Sequence, residues 1–388
     1  MPGTLFTQNT IAVIWDFDKT LSPGNMQAPL FAHYGVNEEE FWDEVNQLEH
    51  FYLSHGSRRV SKDTVYLHHI LTYVQRGIFK GLNNRVLREL GAKIQLYDGL
   101  PEFLNLSKQS VAEDPDFKVH GITVEHYIVS TGLYEMIMGS PIAPFINDVW
   151  GCEFVEFVAE PGYLKPGQQS LLLSPDVHTI LDTGYTIDNT SKTRAIFEIN
   201  KGTNKLSKIG VNDTIDREDR RVPFQNMIYI ADGPSDVPSF SVINQYGGTT
   251  FSVYQSQNKK QFEQVVDLQL KKRVQGIGEA NYVDGSFSSM WILNAIERIA
   301  KRIVSSRESL LKSKVGQAPQ HVSSELKGKE ASLGSTEEVG KAAVENEEES
   351  QGAESSLVLN KKGPSTERQG GASRRAEAGG ENERNPGH

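Results

Sequence analysis

Ile11-Ala12-Val13-Ile14-Trp15-Asp16-Phe17-Asp18-Lys19-Thr20 is the stretch that decides how this 388-residue chain is read. Its apolar half predicts a strand buried on both faces. Residues i and i+2 leave a strand on the same face, so Asp16 and Asp18 can reach one site. That site lies at the strand's carboxyl end, where open α/β sheets bind ligands. Two carboxylates that close repel each other, and a bound cation is the simplest way to keep both ionised. The bland reading, a turn or a helix cap, fits poorly, because acids ending a buried strand are costly unless paired or metal-bound.

Three later stretches match this design. Asn226-Met227-Ile228-Tyr229-Ile230-Ala231-Asp232-Gly233-Pro234-Ser235-Asp236 is a second largely apolar strand, followed by two acids around a Gly-Pro turn. His126-Tyr127-Ile128-Val129-Ser130-Thr131-Gly132 is a third strand, ending in hydroxyls and a glycine. Asp188-Asn189-Thr190-Ser191-Lys192 reads as a helix start that carries a lysine. Strands alternating with helices predict a Rossmann-like parallel sheet with helices on both faces.

In this order, aspartates, hydroxyl, lysine and aspartates resemble the motifs of the haloacid-dehalogenase-like (HAD) hydrolase superfamily. The match to Asp-x-Asp-x-Thr-Leu is complete through Leu21, and the resemblance spans roughly residues 10–300. In motif style it is similar to the phosphoserine-phosphatase-like enzymes with a type-1 helical cap. The resemblance implies a phosphomonoesterase acting on a small phosphorylated metabolite through an aspartyl-phosphate. Asp16 is then the nucleophile. Asp18 protonates the leaving oxygen and later activates water. Asp16, Asp232, Asp236 and the backbone carbonyl of Asp18 hold Mg²⁺, a cation that prefers hard oxygen ligands. Ser130, with the Thr131 and Gly132 amides, binds the phosphoryl oxygens. Lys192 balances the charge of Asp16 and the phosphoryl group. Lys165 and Lys201 compete for that last role, and the helix-start context favours Lys192. The cap glutamate of the phosphoserine-phosphatase-like enzymes has no counterpart in Leu21–Gln27, which argues against phosphoserine as substrate. The alternative from another class is a non-catalytic module that keeps the fold to bind a phosphorylated ligand or partner.

The chain divides into a HAD-like core at 8–21 and 96–312, a helical cap at 22–95 and a tail at 313–388. Glu38 to Glu40 start one cap helix, with Phe41, Val45, Leu48 and Tyr52 on one face. Val65 to Val74 predict a second, and Asn84 to Leu90 a third. Asp98 to Leu104 read as a turn followed by a helix. Phe154–Val158 and Thr249–Tyr254 look like further strands, and Asn258–Val274 and Met290–Ile303 like helices. The stretch from 160 to 186 has little helical period. The cap histidines His50, His55, His68 and His69 match no familiar ligand spacing and read as surface or packing residues. Arg58 and Arg59 could grip a substrate anion or simply be solvated.

Only 37% of the residues are hydrophobic, and the shortfall is concentrated at the end of the chain. From residue 313 onward there is no Phe, Trp, Tyr or Ile, which predicts a disordered tail. A net charge of −10 argues against nonspecific nucleic-acid binding. The single cysteine, Cys152, rules out an intramolecular disulfide and reads as a small core residue. No signal peptide or membrane-spanning run is visible, so a cytoplasmic protein is expected.

Overall fold

The computed structural model describes residues 6–159, 161–164 and 179–315. Lys165, and the expected tail beyond residue 315, lie outside the described residues.

Strand β1 (Thr10–Trp15) is buried at every position. Two strands flank it, both parallel: β2 (Thr123–Leu133) on one side and β5 (Met227–Ala231) on the other. Beyond β2 lies β3 (Asp148–Val155), and beyond β5 lie β6 (Thr249–Tyr254) and β7 (Gly276–Glu279), again parallel. A short antiparallel strand, β4 (Asp182–Tyr185), closes the β3 edge. The order is β4-β3-β2-β1-β5-β6-β7. The chain builds outward from β1 on one side, then returns to build on the other, so the crevice beside β1 is the place where such sheets bind ligands.

Four helices follow β1: α1 (Ala28–Tyr34), α2 (Glu38–Ser54), α3 (Val65–Gln75) and α4 (Asn84–Gly91). At the start of α2 the Asn37 side chain accepts from the Glu39 and Glu40 amides, and three glutamates occupy its first turn. Both features favour a helix N-terminus. Phe41 and Val45 are buried, and Leu48 and Tyr52 half-buried, which is the expected face. Next come α5 (Glu102–Ala112) and α6 (Pro115–Val119), then α7 (Tyr134–Gly139) after β2. The helical segment docks on α7 backbone to backbone. A Cβ at Gly139 would lie 1.8 Å from the Arg88 carbonyl oxygen, and one at Gly91 would lie 2.2 Å from that of Met136. The remaining helices are α8 (Lys192–Lys201), α9 (Val237–Gln245), α10 (Lys259–Leu270) and α11 (Phe287–Val315).

Several boundaries differ from the sequence reading. β3 begins at Asp148 and ends at Val155, because Gly151 and Glu153 interrupt its apolar run. β4 lies inside the stretch read as irregular; it is a four-residue edge strand with little burial, so no alternation marks it. β7 carries two glycines in four residues, and a Cβ at Gly276 would lie 2.6 Å from the Trp291 ring. Helix α11 reaches Val315, past the expected start of the tail at 313. No described helix is long and apolar enough to cross a membrane.

Beneath the end of β1, Trp15 packs edge-on against Phe103 and Tyr282, at centroid distances of 6.2 and 5.5 Å. Its indole Nε1 donates to His126 Nδ1 at 3.1 Å. The His126 proton therefore sits on Nε2, which lies 2.8 Å from Ser107 Oγ and 3.1 Å from the Leu104 carbonyl. Burial pushes the His126 pKa down to about 3, with Lys108 adding to the effect. Its folded pKa lies below its unfolded value, so the unfolded chain takes up a proton first on acidification. Stability is then lost as pH falls from about 6.5 towards 3, at about 1.4 kcal/mol per pH unit. His126→Gln should flatten this acid limb in urea titrations between pH 7 and 4. An unchanged slope would mean that His126 is not neutral in the fold.

Candidate active site

The first acid follows β1 directly, and its amide extends the sheet by donating to the Ile230 carbonyl at 2.9 Å. Phe17 turns into the core and is fully buried, while Asp16 and Asp18 point the other way. Lys19 adopts a left-handed φ of 59°, and the Phe17 carbonyl accepts from the Leu21 amide at 2.8 Å, so the chain reverses at once. Trp15 pairs with Ile230 on one side and Ile128 on the other. Extending that register brings Asp232 and Ser130 level with the two acids, so parallel pairing assembles what lies more than a hundred residues apart in sequence.

Single carboxylate oxygens of Asp16, Asp232 and Asp236 all lie within 4.8 Å of one another. Asp236 is fully buried and held on every side. Its Oδ1 accepts from Lys192 Nζ at 2.8 Å and from the Tyr229 hydroxyl at 2.6 Å, and its Oδ2 accepts from Ser235 Oγ at 2.9 Å. Lys192 Nζ also donates to Asp16 Oδ1 at 2.9 Å. Asp188 sets the start of α8: its Oδ1 accepts from the Thr190 and Ser191 amides at 2.9 and 2.6 Å, and its carbonyl from the Lys192 amide at 3.0 Å. The Asp232 carboxylate makes no hydrogen bond among the described residues. An unpartnered carboxylate beside two others is a donor set of hard oxygens that suits a divalent cation.

Asp18 is not one of that group of three. Its Oδ1 accepts from the Met26 amide at 2.8 Å, which ties it to the start of the helical segment. The Met26 sulfur lies 3.1 Å from the Leu133 amide, and a Cβ at Gly132 would come within 2.1 Å of Met26 Cε, so the methionine tip packs directly over that glycine. Ser130, Thr131 and Gly132 lie within β2, which continues to Leu133 before α7 begins. Ser130 Oγ accepts from the Gly132 amide at 3.0 Å, leaving the hydroxyl hydrogen available to a ligand oxygen. That amide is accordingly engaged. The Thr131 carbonyl takes the Tyr66 hydroxyl at 2.7 Å and Cys152 Sγ at 3.4 Å. Cys152 is a buried thiol whose pKa burial raises, as expected of a packing residue.

Burial raises the pKa of Asp16 to about 6, against the pull of Lys192. It raises Asp18 to about 7, with Asp16 adding to the effect, and Asp232 likewise to about 7. Burial disfavours the charge of Lys192, but Asp16 and Asp236 overcome it and hold the ammonium well above its usual range. Of the competing lysines, Lys201 Nζ donates to the Val211 and Asp213 carbonyls instead. Arg58 and Arg59 are exposed and line no part of this cavity; His50, His55 and His68 are exposed, and His69 pairs with Glu44.

A cavity of about 300 Å³ opens above the acids, lined by Asp16, Asp18, Ser130 and Asp232 at the carboxyl edge of the sheet, by Lys192 at the start of α8, and by Trp42, Asp63 and Tyr66 from the helical segment. Asp188 belongs to the helix start legible in sequence, whereas Tyr229 and the helical-segment lining do not stand out there. Tyr229 reads as one more strand residue, and no local pattern marks the lining residues.

Seven strands in this order, with acids after β1 and β5, hydroxyls at the end of β2 and a lysine opening α8, make this a HAD-like α/β fold. The chain is 38% identical over 297 residues to an uncharacterised protein of Borreliella burgdorferi, covering 74% of this chain and 97% of that one, and it belongs to the same family. No family model matches the sequence. Among solved structures, a HAD family hydrolase of Salmonella enterica serovar Typhi is 13% identical, with a TM-score of 0.39 over 69% of this chain and 66% of that one. A phosphoserine phosphatase solved as a phospho-aspartyl intermediate analogue is also 13% identical, with a TM-score of 0.38 over 69% of this chain and 93% of that one. Likeness this slight adds nothing to the sheet order and motif placement.

Proposed function

We propose that the protein is a magnesium-dependent phosphomonoesterase that hydrolyses a small phosphorylated metabolite with Asp16 as nucleophile. The supporting observation is the meeting of Asp16, Asp18, Asp232, Ser130 and Lys192 around one cavity, with Asp236 directly beneath. Asp16, Asp232 and Asp236 would hold Mg²⁺, together with the Asp18 carbonyl. Bound there, the ion would offset phosphate charge that otherwise repels an anionic nucleophile. Asp16 Oδ1 is fixed by Lys192, which orients the carboxylate for attack on phosphorus and formation of an aspartyl-phosphate. Asp18, with its pKa near 7, can hold a proton for the leaving oxygen and afterwards take one from water. Ser130 can donate to a phosphoryl oxygen. The helices of 22–95 act as a cap that limits access of water.

Phosphate release from p-nitrophenyl phosphate should require Mg²⁺ and stop in EDTA. No release with Mg²⁺ from any of a panel of phosphomonoesters would reject the reading. A second measurement needs no turnover. Asp16, Asp18 and Asp232 have folded pKa values raised above their unfolded ones, so their contribution is present at low pH and is lost as pH rises through about 6–7. A cation binds the ionised cluster and stabilises the fold through that binding. Millimolar Mg²⁺ should therefore raise Tm at pH 8 and leave it unchanged at pH 5. Equal shifts at both values, or none at pH 8, would count against a carboxylate metal site.

A further inference from the structure

Lys19 is the exposed residue of a turn whose other members are held in the core. Phe17, Thr20 and Leu21 are fully buried, and Ser22 is buried with them. The Phe17 carbonyl accepts from the Leu21 and Ser22 amides at 2.8 and 3.3 Å, and the Thr20 carbonyl accepts from the Tyr282 hydroxyl at 2.7 Å. These neighbours fix the backbone at Lys19, at a φ of 59°. The left-handed region suits glycine and is unfavourable for a residue with a Cβ. A long charged side chain kept at such a position, beside a cavity, points to a use for that side chain.

Three lysines line the cavity: Lys19, Lys62 and Lys192. Lys192 Nζ lies between Asp16 and Asp236, and Lys62 Nζ pairs with Glu49 at 2.7 Å. Lys19 makes no ion pair and no side-chain hydrogen bond among the described residues. Burial raises the pKa values of Asp18 and Asp232, and the Lys19 charge pulls both back, so the ammonium stands near these acids. The side-chain amides of Asn46 and Asn189 also line the cavity, and no described residue engages either. Asp63 is anchored away from the end of β1: its Oδ2 accepts from the Asn189 amide at 3.3 Å, just before α8.

We propose that Lys19 is a specificity-determining residue whose ammonium, helped by the Asn46 and Asn189 amides, binds a second anionic group on the substrate, a carboxylate or a further phosphate. The enzyme then selects acidic phosphomonoesters over neutral ones. Lysine suits this task as a point charge on a flexible stem, and a hydrogen bond between ionised partners is stronger than a neutral one. This inference rests on the phosphomonoesterase reading above and names its substrate class.

The test measures kcat and KM with Mg²⁺ on ethyl phosphate, phosphoglycolate, ethylene glycol bisphosphate and p-nitrophenyl phosphate. At least one of the two acidic esters should exceed ethyl phosphate in kcat/KM by about tenfold or more, and the faster of the two identifies carboxylate or phosphate as the second anion. Lys19→Met should reduce that ratio by about tenfold, with most of the loss in KM, and Lys19→Arg should restore much of it. Lys19→Gly should lose the same preference while its Tm does not fall, because glycine accepts the left-handed backbone. A lysine that merely offsets Asp18 and Asp232 would act on every ester alike and leave the ratio unmoved. Hydrolysis of p-nitrophenyl phosphate without a preference for either acidic ester, or a preference that survives Lys19→Met, would overturn the inference and leave the phosphatase reading standing. No hydrolysis of any of the four would remove the phosphatase reading itself.

Discussion

Asp16→Asn should lower kcat on any hydrolysed phosphomonoester by a factor on the order of 10⁴ or more, as losses of a covalent nucleophile do. An amide does not attack phosphorus, so the covalent step has no substitute in the site. Asparagine keeps an oxygen that can accept from Lys192 Nζ, which now sits 2.9 Å from Asp16 Oδ1. It is also isosteric with the buried aspartate, so Tm should stay within a few degrees. Removing one charge takes away a repulsion felt by Asp232, one of the causes of its raised pKa. Steady-state assays and thermal melts on the same preparation check both halves. Turnover close to wild type in a folded variant would move the nucleophile elsewhere.

Lys192→Met should be the largest loss of stability at the site. Lys192 is 1% exposed, and its ammonium lies between Asp16 and Asp236. Methionine fills similar volume but leaves both carboxylates without a cation, a change that costs about 3–5 kcal/mol for buried pairs. The sign with pH follows from the acids. Without Lys192 the folded pKa of Asp16 rises further, so the variant is least stable where Asp16 must ionise. The deficit should be greatest near pH 8 and shrink below about pH 6, where Asp16 holds its proton. Urea midpoints at pH 8 and pH 5 measure it. Equal stability of variant and wild type at pH 8 would show that the lysine does not carry the charge of the cluster.

Much of the fold was legible because strand and helix periods are local. The buried run of β1 and the apolar strands before Ser130 and Asp232 declared themselves, as did the amphipathic faces of α2 and α3. Short elements did not. α1 holds seven residues with a proline at its start, and β4 and β7 hold four residues each, too few for a period to show. Tyr229 could not be picked out, because its ring is an ordinary strand residue and only its hydroxyl, 2.6 Å from Asp236, belongs to the site. Asp232 and Asp236 were both expected to hold the ion, with Asp232 the firmer ligand, and the fold gives the Asp236 carboxylate three donors and the Asp232 carboxylate none among the described residues. The difference is set by residues 192, 229 and 235, of which only the last is adjacent in sequence.

What the sequence determined alone was the chemistry available and its order along the chain: acids after one apolar strand, hydroxyls after the next, a lysine opening a helix, and acids again. Residue type and short-range periodicity carry that much. Tertiary structure decided which of these groups touch, because the parallel register of β1 with β2 and β5 depends on pairing across more than a hundred residues. It also decided what faces the cavity from the helical segment. Gln27, Trp42, Asp63 and Tyr66 lie on separate turns and helices, and only their packing over the end of β1 brings them to one wall.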